Sequence, residues 1–210
     1  MSLPALLVLT DRRQAARLGR VATVAEAVAG GARAVVLREK DLNRGRREEL
    51  AYALQAVLAP VGGVLLIAGA DVELARATGA AGVHLAGADP WPGRHPDLLV
   101  GRSCHHRAEV QASAHQGADY ATVSPVLASR SKPGYGPVLG MAGLARLAGA
   151  SDLALFALGG VSEASAGDCI AAGAAGVAVM GTVMSSPEPA RTVARLLVVL
   201  SGSSVEAGAR

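Results

Sequence analysis

The chain has 210 residues and a formal charge of +3, and 51% of its residues are hydrophobic while only 2% are aromatic. This length and apolar content are enough for one globular domain with a full core, and they exclude a disordered chain. The scattered basic residues, with few aromatic rings to stack on bases, exclude a nucleic-acid surface, and no apolar run is long and uncharged enough to span a membrane.

The N-terminal segment and the two cysteines predict a protein of a reduced compartment. The apolar run after Pro4 has no basic region before it and no cleavage-type site after it, which favours a first strand over a signal peptide. Cys104 and Cys169 are too few for a disulfide framework. We therefore expect a cytoplasmic location.

Eight short apolar runs alternate along the chain with segments of helical spacing. The predicted strands are Ala5–Leu9, Ala34–Leu37, Val64–Ile67, Gly82–Leu85, Leu98–Arg102, Tyr120–Val123, Leu153–Ala157 and Gly176–Met180. The predicted helices are Val21–Ala29, Arg46–Leu58, Val72–Ala77, Arg107–His115, Gly143–Ala148, Ala164–Ala171 and Pro187–Leu200. This alternation predicts βα units around a parallel sheet.

An internal repeat precedes every second predicted strand. It consists of a glycine that ends a helix, a short turn and a buried strand, and its copies begin at Gly31, Gly79, Gly117 and Gly173. A pattern on alternate strands fits an eightfold barrel, in which alternate strands share side-chain layers.

The alternative to a barrel is an open, doubly wound sheet. Such a sheet requires a glycine-rich turn after the first strand, and Thr10–Arg13 contains no glycine. We therefore predict an α/β protein with a single (β/α)8 TIM barrel. The barrel is predicted to occupy residues 1–200, and the serine- and glycine-rich residues 201–210 are predicted to be a flexible C-terminal tail.

In a barrel of this kind, chemistry takes place at the C-terminal ends of the strands. Arg38 and Lys40 follow the second strand two residues apart, so on an extended segment their side chains face the same way and suit a diphosphate or a carboxylate. A solvated charge cluster over Arg38–Asp41 is the alternative. Lys40 and Lys132 are the only lysines beside 18 arginines, which indicates either a need for lysine or chance survival.

Two further strand ends carry candidate groups. Asp89 follows the fourth strand and suits Mg²⁺, although Asp89-Pro90 is also an ordinary turn sequence. His105, after the fifth strand, is a candidate acid or base near neutral pH, and its neighbour His106 should point elsewhere. Cys104, between strand and histidine, is interpreted as a packing residue.

Three loops at the same end of the predicted barrel suit phosphate groups. The seventh strand ends in Gly159-Gly160 before a helix, and the eighth runs from Met180 into Gly181, so bare backbone N–H groups can form a phosphate cradle. The loop after the sixth strand, of roughly 18 residues, is long enough to indicate a binding loop. It carries Ser129, Ser131 and Lys132, for which an ordinary polar turn is the alternative.

Eight motifs follow one another in the order found in a known enzyme superfamily. They are Leu7–Asp11, Val36–Asp41, Gly82–Leu85, Gly101–His105, Gly117–Tyr120, Ser124–Val126, Ser129–Lys132 and Leu158–Val161. Together, over nearly the whole chain, they resemble the thiamine phosphate synthase and thiazole tautomerase superfamily of (β/α)8 barrels.

The resemblance implies a transferase that joins hydroxymethylpyrimidine diphosphate to a thiazole phosphate, with Mg²⁺, and releases pyrophosphate. The residues that it implies for the diphosphate are Arg38, Lys40, Ser129, Ser131 and Lys132. Those for the thiazole phosphate are Gly159, Gly160, Met180 and Gly181. It also implies that Ser103 lies near the pyrimidine and that Asp89 binds Mg²⁺. The implied partners are these small molecules, with no nucleic acid or membrane, and a homodimer is left open.

The sequence departs from the synthase pattern at the metal site, and this leaves three functions open. Gly69 and Ala70 stand where the synthases carry an Asn-Asp pair, and Asp71 comes one position late, so its place as a second metal ligand is left open. The tautomerase branch also lacks the full pair, and there the histidine matching His105 would move a proton without a metal. The third alternative is a non-catalytic protein that binds thiazole or thiamin phosphate through the glycine cradle.

Overall fold

The computed structural model describes residues 3–15, 17–129, 134 and 136–207, with only the backbone described for 203–207. The strands are β1 (Leu6–Leu9), β2 (Ala34–Leu37), β3 (Val64–Ala68), β4 (Gly82–Leu85), β5 (Leu99–Cys104), β6 (Tyr120–Val123), β7 (Ala154–Leu158) and β8 (Gly176–Val179). The helices are α1 (Arg20–Ala29), α2 (Arg44–Leu58), α3 (Val72–Ala77), α4 (Arg107–Gln116), α5 (Gly140–Ala148), α6 (Glu163–Ala171), α7 (Gly181–Met184) and α8 (Pro189–Ala207).

The eight strands form one closed parallel barrel in chain order, with β8 pairing back onto β1. The predicted (β/α)8 barrel is therefore confirmed, and the open sheet is not formed. Each predicted strand is present with bounds within two residues of the prediction, because the apolar runs are short and helix-ending glycines delimit them.

Alternate strand residues divide the core into two layers. One cluster fills the barrel interior and consists of Leu7, Leu9, Ala34, Val36, Leu66, Ala68, Tyr120, Phe156 and Ala178. The other strand positions pack against the surrounding helices. Tyr120 fits inside the barrel because β5 carries Gly101 opposite it, where a Cβ atom would lie 2.1 Å from the ring.

The structure differs from the sequence prediction at the connection that follows β8. A short helix, α7, follows β8 directly and was not predicted, because its four residues are too few to show helical spacing. Between β4 and β5 the chain forms a loop, and no helix was predicted there. Arg102 holds this loop, since its guanidinium donates to the carbonyl oxygens of Gly87 at 2.8 Å and Asp89 at 3.1 Å and stacks over Trp91.

The last helix also differs, since it was predicted to end at Leu200 and continues to Ala207. Extending a helix that is already nucleated adds one backbone hydrogen bond per residue, which offsets the weak helix propensity of serine and glycine. Residues 201–207 of the predicted flexible tail are thus helical, and residues 208–210 lie outside the described part of the chain. The division at Leu200 stays a prediction. Over the described residues, no helix combines the length and the apolar character needed to cross a membrane.

Candidate active site

One large cavity opens at the C-terminal ends of the strands, with a volume of about 1450 Å³. Six of the predicted site residues line it together: Arg38, Ser129, Gly159, Gly160, Met180 and Gly181. The fold therefore brings the glycine loops after β7 and β8 to the same space as one of the predicted diphosphate cations.

The double glycine after β7 has the backbone geometry that a tight cradle requires. Gly159 and Gly160 both lie in the left-handed region, with φ of +96° and +67°. The loop after β6 packs directly on them, because the N–H of Leu127 donates to the carbonyl of Gly159 at 3.0 Å. The N–H groups of Gly160 and Val161 make no hydrogen bond within the described residues, so they are free to receive an anion.

The loop after β8 is fastened to this cradle by a side chain. Thr182, in the first turn of α7, donates its hydroxyl to the carbonyl of Val161 at 2.7 Å. Met180 is the residue before α7, and Gly181 begins it. Since the first N–H groups of a helix have no partner within the helix, both loops present backbone donors toward the cavity.

The two cations after β2 separate in the structure and do not face the same way. The chain turns between them, since the N–H of Lys40 donates to the carbonyl of Arg38 at 2.6 Å. Arg38 lies at the cavity with its guanidinium 3.9 Å from a carboxylate oxygen of Asp11. Lys40 reaches the other way, and its ammonium donates to Asp89 at 2.5 Å. The predicted extended segment is therefore wrong here.

The turn between the cations forms because Glu39 points into the protein. Glu39 is only 5% exposed and accepts a hydrogen bond from the hydroxyl of Thr10. The same hydroxyl accepts the N–H of Arg38 at 3.0 Å, so the residue that follows β1 fixes the backbone from which Arg38 projects. The predicted alternative of a solvated cluster over residues 38–41 is thus wrong at Glu39.

Asp89 is held at the end of β4 by two donors that share one oxygen. Its Oδ2 accepts the ammonium of Lys40 and the N–H of Ala86, the latter at 2.8 Å. Partial burial by itself would raise the pKa of Asp89, but these two hydrogen bonds outweigh it and hold the pKa below its usual range. Oδ1 makes no hydrogen bond within the described residues and is the oxygen available to a ligand.

Ser103, on β5, belongs to a polar network inside the barrel. Its hydroxyl lies 3.0 Å from Nε2 of His84, and the Nδ1 atom of the same imidazole lies 2.9 Å from the hydroxyl of Tyr120. Thr122 lies at the edge of this network, 3.4 Å from both Ser103 and His84. Burial lowers the pKa of His84 to about 4, with the nearby Lys40 charge acting in the same direction, so the imidazole is neutral near pH 7.

His105 lies beside the cavity and is oriented by its neighbours. Its Nδ1 is 2.6 Å from the carbonyl of Ser124, which can only accept, so Nδ1 carries a proton. The backbone N–H of His105 donates to Glu109. His106 points away, as predicted, and its ring caps α4 by accepting the N–H of Glu109. Cys104 is fully buried, consistent with packing.

The predicted residues Ser131 and Lys132 lie outside the described part of the chain. Their proposed contacts with a diphosphate stay predictions. Ser129, which precedes them in the same loop, is described and lines the cavity.

Comparison with known proteins identifies the family. A family model described as thiamine monophosphate synthase matches residues 6–183. The chain belongs to the thiamine monophosphate synthase family.

Relatives match over most of their length. A Geobacter sulfurreducens protein provisionally named a thiamine-phosphate synthase is 40% identical over 93% of each chain. A thiamine-phosphate synthase of Xanthobacter autotrophicus is 37% identical over 88% of this chain and 89% of its own. The solved thiamine phosphate pyrophosphorylase of Pyrococcus furiosus superposes with a TM-score of 0.84 at 26% identity, covering 94% of this chain and 96% of its own. The family resemblance predicted from the sequence is therefore confirmed.

For this member of the thiamine monophosphate synthase family, the fit of a magnesium ion depends on Asp89. Asp71 caps α3 through its Oδ1, which accepts the N–H of Leu74 at 2.9 Å and lies 3.9 Å from Arg44, and its place as a second metal ligand stays a prediction. Across the described residues, no group of three acidic, histidine or cysteine side chains could hold a metal. One carboxylate nevertheless fits Mg²⁺, which commonly takes one or two carboxylates and completes its shell with water and phosphate oxygens.

The sequence motifs of the family did not reveal the groups that support these side chains. Glu39, Tyr120, Thr122 and Arg102 each act on a predicted site residue through contacts that join distant parts of the chain. Three of them, Glu39, Arg102 and Tyr120, lie inside the family motifs, which gave them no role, and a further signal was the place of Tyr120 and Thr122 two residues apart on one predicted strand. A polar residue at an interior position is unusual enough to be a candidate.

The buried His84 predicts a loss of stability in mild acid. Between pH 6.5 and about 4, the unfolded chain binds a proton at this residue that the folded protein does not, so the free energy of unfolding falls as the pH falls. We expect the free energy of unfolding to be about 2 kcal/mol lower at pH 5 than at pH 7 on account of this residue. Urea denaturation at the two pH values measures the change.

The matched variant for this measurement is His84→Gln, which keeps a donor and an acceptor but cannot titrate. The difference between pH 7 and pH 5 should shrink by about the same 2 kcal/mol in this variant. An identical pH dependence in both proteins would contradict a buried neutral His84.

Proposed function

We propose that this protein is a thiamine phosphate synthase, which condenses hydroxymethylpyrimidine diphosphate with a thiazole phosphate to give thiamin phosphate and pyrophosphate. The observation that carries the proposal is the single cavity that combines the glycine loops after β7 and β8 with Arg38 and Ser129. A reaction between two phosphorylated substrates requires two anion-binding regions that face one space, and this cavity supplies both.

The two ends of the site take different anions in this proposal. The thiazole phosphate binds the backbone N–H groups of the glycine cradle and of the first turn of α7. The diphosphate lies across the mouth against Arg38 and Lys40, with Ser129, Ser131 and Lys132 contributed by the loop after β6. Arg38 is free to turn to a diphosphate, because its contact with Asp11, at 3.9 Å, is longer than a hydrogen bond.

The chemistry needs positioning and charge neutralisation more than a strong base. The bond between the pyrimidine methylene carbon and the diphosphate oxygen breaks, and its electron pair leaves with the diphosphate. The cations beside that oxygen lower the barrier because they stabilise the charge that develops on it. The thiazole nitrogen then donates its lone pair to the methylene carbon, and the cradle holds it in line for this step.

Magnesium fits this site through Asp89, and when bound it would supply further charge neutralisation for the leaving diphosphate. Lys40 shares the other carboxylate oxygen and remains within reach of the same anion.

Two other functions were left open by the sequence. A thiazole tautomerase would use His105, whose Nδ1 carries a proton that it donates to the carbonyl of Ser124. A non-catalytic binder would need only the glycine cradle. The synthase is preferred because the relatives carry that name.

An assay with both phosphorylated substrates and Mg²⁺ tests the proposal, and we expect thiamin phosphate and pyrophosphate in equal amounts. Omitting Mg²⁺ should slow the reaction, since Asp89 is positioned to hold the ion. Absence of product, together with metal-independent isomerisation of the thiazole that His105→Ala abolishes, would instead establish a tautomerase. Tight binding of the thiazole phosphate with neither reaction would establish a binder.

A cytoplasmic location stays a prediction. It agrees with Cys104 and Cys169, which are buried free thiols.

A further inference from the structure

The network of Tyr120, His84 and Ser103 has a direction that the hydrogen-bond inventory determines. Tyr120 is 1% exposed, and within the described residues its hydroxyl contacts only Nδ1 of His84, at 2.9 Å. If Nδ1 carried the imidazole proton, the tyrosine hydroxyl would accept that proton and have no acceptor for its own. Because an unmade hydrogen bond inside a core is costly, Tyr120 donates to Nδ1.

This direction fixes the rest of the network. A neutral imidazole that accepts at Nδ1 carries its proton at Nε2. Nε2 then donates to the hydroxyl oxygen of Ser103 at 3.0 Å. Thr122, at 3.4 Å, is a weaker second donor to the same oxygen. The hydroxyl oxygen of Ser103 therefore accepts hydrogen bonds from His84 and Thr122. Its own O–H is left to donate to a group outside the network.

Ser103 is the member of the network that reaches the barrel mouth. It is half-buried on β5, whereas His84 and Tyr120 are buried beneath it. The barrel is built to accommodate this arrangement, since a Cβ at Gly101 would lie 2.1 Å from the ring of Tyr120 and 2.5 Å from its hydroxyl oxygen. The stacked rings of His84 and Tyr120, with centroids 5.5 Å apart, hold the imidazole in one plane.

We propose that Tyr120 and His84 are positioning residues that make Ser103 a hydrogen-bond donor to the substrate. The inference rests on the proposed function, in which Ser103 lies beside the pyrimidine. The subsite is thus specific for a ring that presents an acceptor, such as an unprotonated ring nitrogen, and it rejects a ring that presents N–H or C–H at that point. A site with a fixed donor discriminates because the wrong ring leaves the buried donor unpaired.

The tautomer of His84 tests the direction of this hydrogen-bond relay, which runs from Tyr120 through His84 to Ser103, without any substrate. Long-range nitrogen–proton NMR distinguishes the two neutral tautomers, and the signals of His84 are identified by their loss in His84→Gln. We expect the Nε2–H form in the native protein. In Tyr120→Phe, which removes the donor to Nδ1, the proton should shift toward Nδ1. A native Nδ1–H tautomer would overturn the proposal.

A double-mutant cycle tests the consequence for the substrate. We expect Ser103→Ala to raise the KM or dissociation constant for hydroxymethylpyrimidine diphosphate about 10-fold, and Tyr120→Phe about 5-fold. The double variant should resemble Ser103→Ala alone, because the tyrosine acts only through the serine. If the fold-changes of the two single variants multiply in the double variant, the proposal is overturned and Tyr120 acts only through packing.

Phe156→Leu provides the packing control, since this ring meets Tyr120 edge-on in the same layer but makes no part of the relay. Its effect should multiply with that of Ser103→Ala and leave the His84 tautomer unchanged. If the two-substrate assay fails, the dissociation constant of the pyrimidine diphosphate from calorimetry replaces KM. The tautomer measurement does not depend on activity, so it distinguishes failure of the relay from failure of the proposed function.

Discussion

Replacing Gly160 with alanine is expected to weaken phosphate binding strongly at the β7 end of the cavity. The residue has φ of +67°, and a Cβ there would lie 2.4 Å from the carbonyl oxygen of Ala128 and 2.7 Å from the side chain of Leu127. Neither neighbour can move without loss of a contact, because the backbone N–H of Leu127 donates to the carbonyl of Gly159. The two loops must therefore separate, and the N–H groups that they present lose their common direction.

The expected loss of affinity for the thiazole phosphate is about 100-fold or more, since two hydrogen bonds to a charged group contribute roughly 1.5–3 kcal/mol each. Calorimetric titration with the thiazole phosphate measures it. Activity in the two-substrate assay should fall at least as far, because the thiazole nitrogen would no longer be held in line.

Gly62→Ala is the matched control for this variant. Gly62 has nearly the same backbone angle, φ of +62°, but lies in the turn after α2, and a Cβ there would have no atom within 4 Å. The Gly62→Ala variant has only the strain of alanine in the left-handed region, which costs about 1–2 kcal/mol of stability. It therefore separates this strain from the steric clash at the cradle. If the two variants bind the thiazole phosphate with equal affinity, the phosphate does not bind at Gly159-Gly160.

The barrel could be predicted from the sequence because its signals are local. Each strand is a short apolar run, and the glycine that ends the preceding helix is visible beside it, as at Gly117 before β6. The double glycine before α6 was predicted for the same reason. A conformation with positive φ requires glycine, so the residue type alone carries the information.

The internal network of the site could not be predicted, because its contacts cross the barrel. Tyr120 and His84 are separated by 36 residues and meet only because Gly101 leaves room between β4 and β6. His84 lies within the motif Gly82–Leu85, but neither its partner nor its protonation state follows from local pattern. Burial and a specific donor decide the latter.

The pairing of Lys40 with Asp89 also could not be predicted from the sequence. Arg38 and Lys40 would face the same way on a strand, but β2 ends at Leu37 and the buried Glu39 turns the chain. What pulls Glu39 inward is the hydroxyl of Thr10, the residue after β1, which lies next to it only in the folded barrel. The residue types of the diphosphate site were thus predictable, whereas their individual partners were not.

Replacing Lys40 with methionine is expected to lower kcat/KM by about 100- to 1,000-fold, the effect of removing one preorganised group that stabilises developing charge. The ammonium lies 2.5 Å from Asp89, across the cavity mouth from the glycine cradle. Methionine keeps most of the length of the side chain, so the change removes the charge and little of the packing. The pair is partly exposed, with side-chain exposures of 39% and 23%, so the stability of the fold should change by less than about 1 kcal/mol.

Arg44→Met is the control that separates this role from a general loss of positive charge. Arg44 also faces an aspartate, Asp71 at 3.9 Å, but lies outside the proposed diphosphate set. Its kcat/KM should stay within about 3-fold of the native value, since an exposed ion pair contributes little. Equal behaviour of the two variants would show that Lys40 does not act on the diphosphate. A large loss confined to Lys40→Met would place the choice of reaction on the cationic side of the mouth, because the glycine cradle alone serves synthase, tautomerase and binder equally.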